Sequence, residues 1–128
     1  MVRMTARPLV TAPAGAAPGR MLAHPAPADI RLTDVLHALS DPVRLTVVRA
    51  LAGARTELTC SDVPLPVTKS TTTHHYRVLR EAGVITQIYR GTSKMNALRR
   101  DDLDRLFPGL LDSVLAAADA QARRMGER

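Results

Sequence analysis

At 128 residues the chain has room for one small domain and an appendage. With no Trp, one Phe and two Tyr, its apolar content is almost all Leu, Val and Ala, so the core is modest and pairing with a second copy is a natural way to bury more surface. The formal charge of +6 is concentrated: residues 69–100 hold Lys69, Arg77, Arg80, Arg90, Lys94, Arg99 and Arg100 against Glu81 alone, a surplus equal to that of the whole chain.

A basic block confined to one segment points to a polyanionic partner. The single cysteine, Cys60, excludes an internal disulfide and suits a reducing, cytoplasmic setting. No apolar run approaches the roughly 18 residues of a membrane span, and the N-terminus lacks a secretory apolar stretch.

Residues 1–28 are rich in Ala, Pro and Gly, carry Arg3, Arg7 and Arg20 without an acid, and lack periodicity, which predicts a flexible arm before a domain over 29–124. Leu32, Val35, Leu36 and Leu39 then fall at helical spacing. Ser40-Asp41-Pro42 punctuates the chain, with Asp41 as N-cap and Pro42 at the first position of a second helix that Leu45, Val48 and Leu51 carry to Gly53. The segment TELTCSDVPLPV has room for about one helical turn, because Pro64 and Pro66 interrupt it.

The stretch TKSTTTHHYRVLREAG predicts a helix that Ser70 caps or opens and Gly83 closes. At 100° per residue, Thr72, Tyr76, Leu79 and Gly83 share its buried side, with His75 and Ala82 flanking, while Ser70, Thr73, His74, Arg77 and Glu81 share the other. VITQIYR and KMNAL read as two strands around the turn Arg90-Gly91-Thr92-Ser93. Asp101, Asp102 and Asp104 open a short helical turn, Pro108 interrupts it, and Leu110, Leu111, Val114, Leu115 and Ala118 line a last helix.

That order is the order of a winged helix-turn-helix module: mainly α with a small β-hairpin, the polar-faced helix serving as recognition helix and the hairpin as wing. Ser70, Thr71 and Thr73 are short donors suited to the DNA backbone, whereas His74 and Arg77 reach far enough for base edges. Lys69, Arg90 and Lys94 are placed to hold phosphate, and His75, on the flank, joins the DNA-contact set. A protein-interaction module docking an acidic partner on the same basic face is the rival reading; its weakness is the polar outer row, since interface centres favour apolar anchors. No activated nucleophile, paired acid and base, or phosphate loop suggests an enzyme.

HALSDPVRLTVVRAL, followed by KSTTTHHYRVLREAGVI and a Gly-centred turn, resembles the ArsR-type winged-helix repressors over about residues 30–118. The resemblance implies a homodimer on double-stranded DNA, the first and last helices forming its contact through Leu32, Leu36, Leu39, Leu110, Leu111, Val114 and Leu115. Many such repressors release DNA when they bind a metal or another signal, and the sequence gives neither an inducer nor whether one exists. Metal-sensing members carry Glu-Leu-Cys-Val-Cys-Asp where this chain reads ELTCSD, so Thr59 and Ser61 stand at the ligand positions and Cys60 at the apolar one between. One thiol cannot make a soft thiolate site; the expectation is no metal or other cofactor, with Cys60 as a small buried hydrophobe.

Overall fold

The computed structural model describes residues 9–10, 19–54 and 56–127. Five helices, α1 (Leu32–Leu39), α2 (Pro42–Ala54), α3 (Lys69–Glu81), α4 (Arg100–Leu106) and α5 (Leu110–Met125), surround short strands β1 (Leu9–Val10), β2 (Gly19–Met21), β3 (His24–Pro25) and β4 (Leu58–Thr59) and the longer pair β5 (Ile85–Arg90) and β6 (Ser93–Leu98). No helix among the described residues is long and apolar enough to cross a membrane.

Local chemistry explains most boundaries. Asp41 Oδ1 accepts from the amides of Val43 (2.8 Å) and Arg44 (3.1 Å), capping α2 where Pro42 opens it. Thr68, rather than Ser70, caps α3: its Oγ1 accepts from the Thr71 amide at 3.2 Å. Gly83 ends α3 at φ +88°, with its amide on the Arg80 carbonyl and that of Val84 on Leu79. A side chain there would lie 2.6 Å from Ile30 Cγ1 and Cδ1, so the glycine supplies both the left-handed turn and the space.

Val35, Val47, Val48, Leu51, Tyr76, Leu79, Val84, Ile85, Leu103 and Leu111 form one core joining the helices to the sheet. Inside it, Arg44 Nε donates to the Ala38 carbonyl at 2.8 Å and Nη2 to that of His37 at 3.3 Å, satisfying the C-terminal carbonyls of α1.

The predicted hairpin is the centre of a larger sheet. Strand order is β2-β5-β6-β4, antiparallel throughout, and β1 pairs separately with β3. Leu58 lies opposite Asn96 and Thr59 opposite Met95, whereas Met21 lies opposite Ile88. Strands of two or three residues are too short to show a period of two; they exist because β5 and β6 offer them open edges.

The arm expected over residues 1–28 is in part corrected. Its residues 1–8 and 11–18 lie outside the described residues, but Gly19–Met21 pair with β5, His24–Pro25 pair with Leu9–Val10, and His24 and Pro25 are buried. The folded unit therefore begins before Asp29. A side-chain anchor explains why: His24 Nε2 accepts the Gln87 amide at 2.9 Å, while Nδ1 bonds the Leu22 carbonyl.

Candidate nucleic-acid interface

Three consecutive threonines are poor helix formers, and hydroxyl bonds tie the first turn of α3 together. Thr68 Oγ1 donates to Thr71 Oγ1 (3.0 Å), and Thr73 Oγ1 donates to the Lys69 carbonyl (3.1 Å). The helix is then held from inside by Tyr76 and Leu79, both buried in the core. What remains outside is Lys69, Ser70, Thr73, His74, Arg77 and, at the far end, Glu81, with Thr71 half-exposed beside them. Ser70, Thr73, His74 and Arg77 follow the i, i+3, i+4, i+7 spacing of one helical face. Arg77 Nη2 lies 3.5 Å from His74 Nδ1, so the two longest side chains of the row stand together.

His75 does not belong to that row. It is 8% exposed, and Arg44 Nη1 donates to its Nδ1 at 3.1 Å. Because a guanidinium can only donate, Nδ1 is the acceptor of this bond. The DNA contact expected of His75 is corrected to a buried tie between α2 and α3.

The wing turns tightly at Gly91, whose φ is +67°. Arg90 is exposed at its edge, but its guanidinium is engaged bidentately by Glu57, Nε to Oε1 at 2.7 Å and Nη2 to Oε2 at 2.8 Å. The Arg90 guanidinium holds the Glu57 carboxyl below the usual carboxylate range. Lys94 lies 5.6 Å from the Tyr89 ring centroid. Lys69 and Lys94 line a cleft of about 560 Å³ between the wing, α3 and the Cys60 turn.

A buried polar chain crosses the sheet beneath this surface. Arg80 Nη1 donates to Gln87 Oε1 at 2.5 Å, Gln87 Nε2 to Asn96 Oδ1 at 2.8 Å, and Asn96 Nδ2 to the Leu58 carbonyl at 3.0 Å. Arg80, one of the basic block of residues 69–100, turns inward, and burial pulls its pKa below the ordinary value. Gln87 and Asn96 escaped the sequence reading. The available signal was Gln87 itself, a polar residue two positions after Ile85 on the buried side of β5.

No protein-family model matches the chain. Over 82 residues, 62% of its length, it is 33% identical to the uncharacterised HTH-type transcriptional regulator YceK of Bacillus subtilis (strain 168), of which the match covers 82%. The chain belongs to the HTH-type transcriptional regulators. A crystal structure of an ArsR family transcriptional regulator matches with a TM-score of 0.50, covering 73% of this chain and 88% of that one at 21% identity. The regulator thus has the ArsR-family winged-helix fold.

The residues expected to form a contact between copies divide in two. Leu32 and Leu36 are 44% and 43% exposed on α1, and Leu110, Val114 and Leu115 on α5 are half-buried. Leu39 and Leu111 are corrected: both are buried in the regulator's own core, where α1 and α5 meet their neighbours, and neither is open to a second copy.

Four carboxylates of α4 and α5 are engaged by arginines. Asp102 holds Arg99 and Arg105, Asp104 and Asp112 hold Arg100, and Asp119 holds Arg49. In ELTCSD, Thr59 and Ser61 bond one another at 3.1 Å, and Asp62 accepts the Thr59 amide at 2.9 Å. Burial pushes the half-buried Cys60 thiol up, away from the thiolate a soft metal needs. Among the described residues no three His, Cys, Asp or Glu side chains gather where they could hold a metal ion.

Proposed function

We propose that this regulator is a sequence-specific repressor that binds a pseudo-palindromic operator as a homodimer, one α3 in each of two successive major grooves. The observation that carries the reading is the outer row of α3, Ser70, Thr73, His74 and Arg77, exposed on a helix whose opposite face is locked into the core. Short hydroxyl donors at the helix start suit phosphate oxygens, and His74 with Arg77 suits base edges, arginine pairing best with guanine. Lys69, Lys94 and Arg90 extend the grip to the flanking backbone, Arg90 by exchanging Glu57 for phosphate.

Leu32 and Leu36 support the dimer, since apolar side chains left open on α1 gain by meeting their own copies across a two-fold axis. Two recognition helices would then stand about 34–36 Å apart, one turn of the duplex. The repressor sense follows the ArsR-type likeness, and an inducer would be any agent that lowers affinity for the operator.

An anisotropy titration against DNA from upstream of the gene, at roughly 50 and 200 mM salt, tests the reading. A protein making 6–10 phosphate contacts loses about 10³–10⁵ in affinity over that range. Binding that ignores salt, or is equal on every sequence, rejects sequence-specific recognition. Light scattering on the free protein tests the dimer, and a monomer at micromolar concentration rejects it.

A further inference from the structure

The cleft between the wing and α3 has a composition that DNA docking alone does not require. Its walls are Thr59, Cys60, Ser61, Lys69, Thr72, Thr73, Ser93 and Lys94: two ammonium groups, five hydroxyls, one thiol and no carboxylate. Neither lysine has an acidic partner among the described residues, whereas Arg49, Arg90, Arg99, Arg100 and Arg105 each hold one. The amides of Lys69 and Ser70 precede the first i to i−4 bond of α3, from Thr72 to Thr68, and so have no acceptor within the helix. The space, about 560 Å³, is large enough to take a small organic ligand.

We infer that this cleft binds a small organic phosphate ester, its dianionic phosphate held between Lys69 and Lys94, and that the occupied cleft excludes the operator's backbone from the same two lysines. Two unneutralised cations match the double charge of a phosphomonoester more closely than the single charge of each phosphodiester. The hydroxyls of Thr72, Ser61 and Ser93 provide donors for the remaining oxygens. The wall is also connected to the reading helix: Asn96 Nδ2 lies 3.7 Å from Cys60 Sγ and, through Gln87, joins the cleft wall to Arg80 on α3. The exclusion of DNA rests on the operator reading above; the binding of the ester does not.

The test is an amide-shift titration of the full-length protein, free of DNA, with glycerol phosphate at an ionic strength held constant with sodium chloride. The expected result is a saturable shift confined to Thr59, Ser61, Lys69, Thr72 and Ser93, with Lys69→Gln and Lys94→Gln each weakening it about tenfold, the cost of one charge-assisted hydrogen bond. Shifts that never saturate, that sodium chloride reproduces, or that both variants leave unchanged overturn the site. In a second arm, operator affinity should fall as the ester saturates; unchanged operator affinity at saturation overturns the exclusion. If the ester titrates as expected while no DNA is bound at all, the operator reading falls and the ester site stands.

Discussion

His74 and His75 are neighbours in the chain and belong to different parts of the molecule. His74 faces outward beside Arg77, while His75, one step and about 100° further round the helix, is buried on Arg44. The inner side of α3 is a set of structural commitments to α2, Ile30 and the sheet; the outer side has few partners of its own and is free to meet another molecule. Changes on the inner side should therefore appear in folding free energy and changes on the outer side in DNA selectivity, with little crossing between the two.

The strongest challenge to that division is Gly83→Ala, which forces a β-carbon onto Ile30 at a left-handed backbone position. A loss of about 3 kcal/mol is expected in chemical denaturation, strain and overpacking together. Adding Ile30→Ala should recover the packing part and leave the strain. Next comes Arg44→Met, which keeps bulk but strands the Ala38 carbonyl and Nδ1 of His75. It should cost about 2 kcal/mol of stability while leaving the salt slope of DNA binding unchanged; a changed slope would move Arg44 to the DNA side.

On the outer side, Arg77→Ala should unfold within about 0.5 kcal/mol of the parent and lose about 1.5 kcal/mol of discrimination between operator and scrambled DNA. Lys94→Ala should instead weaken all sequences alike and flatten the salt slope by about one unit. Both are read in parallel denaturation and anisotropy titrations, and a large stability loss in either would blur the two-sided picture.

The smallest effect concerns His24. Burial drives its imidazole below the ordinary 6.5; the bond to the Leu22 carbonyl opposes this, and the nearby Arg99 and Arg80 guanidiniums reinforce it. The folded state therefore binds fewer protons than the unfolded one, so the contribution of the neutral ring is complete above about pH 6.5 and declines as pH falls through the lowered folded value. The protection factor of the Gln87 amide, its exchange corrected for the intrinsic rate, should fall as pH is lowered from about 7.5 through the depressed His24 value and its acceptor is protonated. In His24→Leu, Gln87 exchange should show only the intrinsic pH dependence of amide chemistry.

Much of this was legible in the residues. The five helices, the hairpin, the cap at Asp41, the close of α3 at Gly83 and the exposed row of α3 all follow from side-chain period and short-range hydrogen bonding. Other assignments were ambiguous on the same grounds. Leu39 and Leu111 lie on stripes that are apolar whether they meet the chain's own core or a second copy, and His75 sits at the boundary between two faces. The strands β2 and β4 were hidden by their length, and the Glu57 partner of Arg90 by a separation of 33 residues.

The amino-acid order by itself determined the five helices, the β5–β6 hairpin and most of their ends, because those choices are settled largely by groups within about four residues of one another. Tertiary structure alone decided which polar side chains turn inward: Arg44 meets His75 across 31 residues, and His24 meets Gln87 across 63. The reason is physical. A buried donor must find an acceptor wherever packing brings one, and no period or cap in the neighbouring residues records where that will be.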